Sequence, residues 1–83
     1  MNKVLVEIHI PAIGDHFDTF APVDVPVKDV TRVIAGGVVE ISNGRYVESG
    51  HEQLCMKSPV GLLDPNLTLQ DYGVKDGIQL YLV

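Results

Sequence analysis

Cysteine is almost missing from this chain, with Cys55 the only one. No intramolecular disulfide can form, which suits a reducing compartment. Basic residues are scarce: 6 Lys and Arg stand against 11 Asp and Glu, giving a net charge of -5 and a pI of about 4.8. Such a surface gains nothing by displacing counterions from DNA or RNA, so nucleic acid is not expected as a partner. An anionic membrane surface is disfavoured on the same ground. An acidic balance suits solubility and a basic protein partner. Long apolar runs are missing too. The run that begins at Val4 is broken by Glu7 and is too short for a secretory signal or a membrane span. No membrane insertion is expected, and the chain reads as cytoplasmic. The 83 residues leave no room for a second domain or a deep enclosed cleft, so residues 1–83 are expected to form one domain. That lowers the expectation of catalysis.

What is present is an apolar content of 46%, enough for a compact globule. Val4, Val6, Ile8 and Ile10 alternate with Lys3, Leu5, Glu7 and His9. Period two with β-branched residues predicts a strand with one buried face, ended by Pro11 and Gly14. Residues 17–25 predict a second strand, paired with the first as a hairpin. Pro22 within it lacks an amide hydrogen for the ladder, so it is expected at a sheet edge. Pro26 has the fixed φ and missing amide that a first helical turn tolerates, and Val27, Val30, Val33 and Ile34 follow at helical spacing. A helix is therefore expected from Pro26 or Val27, with Asp29 suiting its dipole.

Two readings compete for the end of that helix. Val38 and Ile41 continue the spacing, with Asn43-Gly44 as a stop. Against this, Gly36-Gly37 costs roughly 1 kcal/mol per glycine inside a helix. Asn43-Gly44 is also a strong hairpin signal, flanked by residues 38–42 and 45–48. On the second reading the helix stops at Ala35. Beyond this region, residues 53–57 predict a third strand with Leu54 and Met56 on one face. Pro59 and Gly61 predict a turn, and residues 60–63 a short fourth strand. Asp64-Pro65-Asn66 is a turn by composition, residues 67–73 a one-turn element, and Asp76-Gly77 another turn. Ile78, Leu80 and Leu82 alternate with Gln79 and Tyr81 in a last strand. The first and last strands are the most apolar, so they are expected to be central and parallel neighbours. The result is a β-grasp (ubiquitin-like) α+β fold, a mixed four- to five-stranded sheet packed on one helix.

Two stretches resemble the YukD/EsaB family, the small ubiquitin-like proteins of bacterial type VII (WXG100/ESX) secretion systems. One is Pro26-Val27-Lys28-Asp29-Val30, preceded by Phe17-Asp18. The other, more specific, is Leu69-Gln70-Asp71-Tyr72-Gly73-Val74-Lys75-Asp76-Gly77-Ile78-Gln79-Leu80. In physical terms, Leu69 anchors the one-turn element and Asp71 bonds nearby amides. Gly73 and Gly77 take positive φ at no steric cost. The resemblance implies a non-enzymatic protein-binding accessory component whose partner belongs to the secretion machinery, a membrane-anchored part among the candidates. The small regulatory subunits of bacterial multicomponent oxygenases share the same skeleton and give the alternative.

Ubiquitin-like proteins have one well-known chemistry, activation of a C-terminal Gly-Gly carboxylate. This chain ends Leu80-Tyr81-Leu82-Val83. The bulky tail argues against conjugation or sulfur carriage through Val83. No catalytic, metal or cofactor site is expected elsewhere. Asp15, His16 and Asp18 read as a solvated loop rather than a convergent ligand set. His9 reads as exposed on the outer strand face and His51 as structural. Cys55 lacks a basic cluster or helix N-terminus to activate it and reads as a passive thiol. No glycine-rich phosphate loop surrounds Gly36-Gly37. What remains is surface. If Val4, Val6 and Ile8 face the helix, then Leu5, Tyr81, Val83 and Phe20 point out of the open sheet face. They are the candidate protein-binding residues. The plainer reading is that these four are scattered singly.

Overall fold

A computed structural model describes residues 2–57 and 60–83, and the side chain of Val60 is not described. The expected turn at Pro59 falls outside the described residues. The elements are β1 (Lys3–Ile10), β2 (Asp15–Pro22), α1 (Val27–Ile41), β3 (Leu54–Lys57), β4 (Val60–Leu62) and β5 (Ile78–Leu82). Short 3-10 turns at Pro11–Ile13 and Gln70–Tyr72 join them.

The alternation in β1 does what its parity requires: Val4, Val6, Ile8 and Ile10 are all buried. After the first 3-10 turn Gly14 adopts φ 63 and its amide bonds to Pro11 O at 3.2 Å. This tight reversal sets Asp15 directly opposite Ile10. The second strand therefore starts and ends earlier than residues 17–25. Beyond Pro22 the Val23 amide still bonds to Asn2 O at 3.1 Å, while its carbonyl turns to accept the Gln70 amide at 3.0 Å.

The five strands lie in the order β2-β1-β5-β3-β4, with β1 and β5 parallel and the other pairs antiparallel. The first and last strands are central parallel neighbours, as their apolar parity predicts, and β2 is an edge. Leu80, Leu82 and Leu54 join the β1 valines and isoleucines in one core under α1. With one helix on one face of a mixed sheet, this is the β-grasp arrangement.

The helix settles the open alternative in favour of the longer form. It runs unbroken through Gly36-Gly37, and no hairpin forms at Asn43-Gly44. The burial of Ala35 and Val38 on either side of the glycine pair supplies the reason. Burying one valine contributes about 1.5–3 kcal/mol, enough to offset much of the glycine cost. Asn43 (φ 55) and Gly44 (φ 80) end the helix instead: the Gly44 amide bonds to Val39 O at 3.1 Å and the Asn43 amide to Glu40 O at 3.1 Å. These are the two bonds of a Schellman stop, which needs a left-handed residue just past the helix.

At the other end Pro26 stays extended (φ -57, ψ 141), and no side chain caps the helix. The first free amides go to the chain after β4: Val27 N to Leu67 O at 2.7 Å and Lys28 N to Pro65 O at 3.0 Å. The one-turn element is held as expected. Leu69 is fully buried, Asp71 accepts the Thr68 amide at 2.9 Å, and Thr68 Oγ1 accepts the Asp71 amide at 3.2 Å. The Tyr72 hydroxyl accepts the Asp64 amide at 2.7 Å, tying that element to the turn after β4.

Candidate protein-binding face

Register fixes which side chains share the open face. Leu5 lies directly opposite Phe20 across β1 and β2, and Tyr81 lies beside His9 on one side and Cys55 on the other. Phe20 is 65% exposed and Val83 56%, while Leu5 and Tyr81 are half-buried. Val83 extends the sheet by exchanging two backbone hydrogen bonds with Gln53, at 2.8 and 2.9 Å.

All four candidates therefore point away from α1, but they stand as two pairs. Gly77, not Tyr81, lies beside Leu5, with its amide bonded to Leu5 O at 2.9 Å. Tyr81 is four steps further along the strand, about 13 Å at the usual strand rise. Between the pairs runs a polar belt. Gln79 Nε2 donates to Glu7 Oε2 at 3.0 Å. His9 and His16 stack with ring centroids 5.2 Å apart, and their Nε2 atoms lie 3.6 and 3.8 Å from the Glu7 carboxylate. His9 also meets the edge of Tyr81 at 5.5 Å, so it is half-buried rather than freely exposed. Leu62, 60% exposed and opposite Cys55, joins the Tyr81–Val83 end. Sequence parity alone could not place it, because residues 60–63 are too few to show a period.

The other residues weighed as chemistry are occupied in other ways. Asp15 pairs with Arg45 at 3.0 Å, and that guanidinium, with the His16 amide, holds its carboxyl below its ordinary pKa. His51 is exposed, its amide bonded to Ser49 Oγ at 3.1 Å. Cys55 is half-buried with Sγ 3.5 Å from Met56 O. Among the described residues no three His, Cys, Asp or Glu side chains converge as a metal site would require, and no helix is long and apolar enough to cross a membrane.

The sequence reading gave no role to Tyr46 and Glu52, which organise the segment between α1 and β3. Ser42, buried, accepts the Tyr46 amide on Oγ at 3.1 Å. The Tyr46 ring enters the core while its hydroxyl donates to Glu52 Oε2 at 3.0 Å. Glu52 further accepts from the Ser49 amide at 2.6 Å, the Ser49 hydroxyl at 3.2 Å and the Gly50 amide at 3.1 Å. These donors, the Ser49 amide first, hold its pKa down at about 2. Burial, reinforced by the Glu52 charge, pushes the Tyr46 phenol up to about 12. The four acceptor contacts make Glu52 a fastener for the segment and leave its carboxylate little freedom for proton transfer.

No protein-family model and no curated protein matches the chain. Solved structures do. The ubiquitin-like domain of the Mycobacterium tuberculosis type VII secretion system protein ECCD1 has a TM-score of 0.78 and 21% identity, covering 100% of this chain and 99% of that one. The EccD5 ubiquitin-like domain from Mycobacterium xenopi has a TM-score of 0.82 and 19% identity, covering 100% and 94%. A chain of the ESX-5 inner membrane complex has a TM-score of 0.81 and 18% identity; the match covers all of this chain but 21% of that one. At such identities the likeness shows the fold, which is ubiquitin-like.

Proposed function

We propose that residues 1–83 form one ubiquitin-like domain that docks other proteins within a bacterial type VII (WXG100) secretion machinery, on its cytoplasmic side and without catalysis of its own. The observation that carries this reading is the end-to-end superposition on ubiquitin-like domains of two type VII secretion proteins. The residue pattern Leu69–Leu80, similar to the YukD/EsaB proteins, favours the same machinery and, within it, a small YukD/EsaB-like component. A membrane-anchored partner is favoured by the third likeness, since the matching chain is part of an inner membrane complex. The docking residues in this proposal are Leu5, Phe20, Tyr81 and Val83 on the open sheet face. Exposed apolar side chains around a polar belt resemble the mixed composition of protein contacts more than that of an inert surface.

The test is affinity capture of the tagged chain from its native cells after cross-linking, read by mass spectrometry. Membrane-complex components of a type VII system are expected to be enriched by the wild type. Their recovery should fall at least about tenfold with Tyr81→Ala or Phe20→Ala, as loss of an interface anchor requires. Enrichment of a diiron hydroxylase instead would transfer the domain to the oxygenase reading. Equal recovery by both variants would remove the open face from the proposal.

A further inference from the structure

The polar belt that separates Leu5 and Phe20 from Tyr81 and Val83 has two features that the fold itself does not use. The first is a like-charge pair. Glu7 on β1 lies directly opposite Asp18 on β2, and both side chains leave on the open face. The Val23 amide bonds to Asn2 O, so antiparallel alternation makes Glu7 and Asp18 a non-hydrogen-bonded pair, the kind with the closer side chains. Like charges placed in this way are destabilising. Among the described residues no lysine or arginine pairs with either carboxylate, and Arg45 is taken by Asp15 at 3.0 Å.

The second feature is an orphaned nitrogen. Among the described residues His9 Nε2 has no hydrogen-bond partner, and it is shielded from solvent. It stands 3.6 Å from Glu7 Oε2, too far for a hydrogen bond. With the ring proton on Nδ1, this atom is a bare acceptor facing a carboxylate. With the proton on Nε2, the donor falls short. Neither neutral form satisfies the atom, whereas an imidazolium gains a charge-assisted bond by a small shift toward Glu7. His16 stacks on His9 with its own Nε2 3.8 Å from Glu7 Oε1, so the two rings share one carboxylate. The other groups that face them are Asp18 from β2 and Gln79 and Tyr81 from β5. Gln79 holds Glu7 Oε2 at 3.0 Å, Tyr81 meets the edge of His9, and only Asp18 among the three is charged at neutral pH.

We propose that the belt receives an arginine of the docking partner between Glu7 and Asp18, and that a proton taken up by the His9–His16 pair releases it. With both rings neutral, two adjacent carboxylates face outward, and the fork of a guanidinium donates to both at once. Apolar neighbours of that arginine then meet Leu5 and Phe20 on one side and Tyr81 on the other. A protonated imidazole claims Glu7 from within the face, and the belt loses the charge that holds the guest. Imidazole changes charge between about pH 5 and 8, which sets the range of the exchange. The inference rests on the open-face docking proposed above, names the chemistry of the partner there and adds its regulation.

The experiment titrates the isotope-labelled 83-residue chain with the peptide acetyl-Leu-Arg-Leu-Arg-Leu-amide at about pH 7.5 and about pH 5.5, read by NMR. Saturable shifts are expected at Leu5, Glu7, Asp18, Phe20 and Tyr81 at the higher pH. Affinity should fall at least about tenfold at the lower pH. The same peptide with citrulline, the uncharged isostere, in place of arginine should bind at least about tenfold more weakly at the higher pH. Asp18→Asn, at an exposed position, should keep the fold and weaken the arginine peptide by a similar factor. The double variant His9→Gln/His16→Gln should bind equally at both pH values. Should its amide spectrum show a lost fold, His16→Gln alone, at an exposed position, should lessen the pH response. No saturable shift up to about 5 mM peptide would overturn the inference, since even the millimolar limit of useful affinity would then be missed. So would equal binding of the citrulline peptide, equal wild-type affinity at both pH values, or a pH response that the histidine variants leave whole. Failure of the peptide beside continued capture of membrane components by the chain would strike this inference alone, and failure of both would strike the docking reading.

Discussion

Glu52 carries four hydrogen bonds from Tyr46, Ser49 and Gly50, and its depressed pKa turns them into a pH dependence. The folded-state value of about 2 lies below the ordinary 4.5, so the stabilisation is complete above pH 4.5 and is lost as pH falls toward 2. Allowing for solvent screening, it amounts to about 1 kcal/mol. Glu52→Gln, which places an amide group among donors, should lower Tm by several degrees at pH 7 and narrow that deficit between pH 4.5 and 2, as thermal unfolding at several pH values will read. A constant deficit down to pH 2 would show that the charge is immaterial. Parity gives the second expectation at this scale. Val6 and Leu80 are fully buried, so Leu80→Ala should cost about 2–5 kcal/mol and Val6→Ala somewhat less. Phe20→Ala and Val83→Ala should stay within about 0.5 kcal/mol, since both side chains are mostly exposed. Thermal unfolding separates the pairs, and equal losses would reverse the faces. The β1 and β5 faces were legible because period two fixes them locally. The Glu52 fastening was not, since it depends on the path of residues 42–53, which no periodicity specifies.

Among the elements, the helix shows why local signals can balance. Asn43 and Gly44 both sit at positive φ, which a two-residue hairpin turn demands of both and a Schellman stop of the first. The same dipeptide therefore supports either outcome. The choice is made at a distance, by Val38 and Tyr46 filling the core below the sheet. Because Gly37 lies in a helix and a Cβ there would meet nothing within 4 Å, Gly37→Ala should raise stability by roughly 0.5–1 kcal/mol. Gly44→Ala should do the reverse by about 1 kcal/mol, since its φ of 80 is left-handed. Denaturant titration distinguishes the signs. Destabilisation by Gly37→Ala would be incompatible with a helix that continues past Ala35.

At the scale of the whole molecule, the sheet is organised around one parallel pair that the chain brings together from its two ends. That closure was legible because β1 and β5 are the most apolar strands and a small sheet must bury such strands on both edges. The positions of β3 and β4 were not, because short strands of four and three residues carry little pattern of their own. Their order follows from Leu54 facing Leu82 and Cys55 facing Tyr81 in the finished sheet. Opening the central pair means breaking the β1 ladder to β5 and the bond that the Leu5 amide donates to the Asp76 side chain at 2.8 Å. Local fluctuations cannot do this without exposing the core, so these amides should exchange only on global unfolding. Hydrogen exchange read residue by residue should find the slowest amides within Val4–Ile8 and Ile78–Leu82. The Val23 amide bonds to Asn2 O, so antiparallel alternation turns the amides of Phe17 and Thr19 toward β1 and those of Asp18 and Phe20 out of the edge, and the outward pair should exchange far faster. Fast exchange in either central segment would overturn the parallel pairing, and equal rates along β2 would overturn the assignment of its free edge.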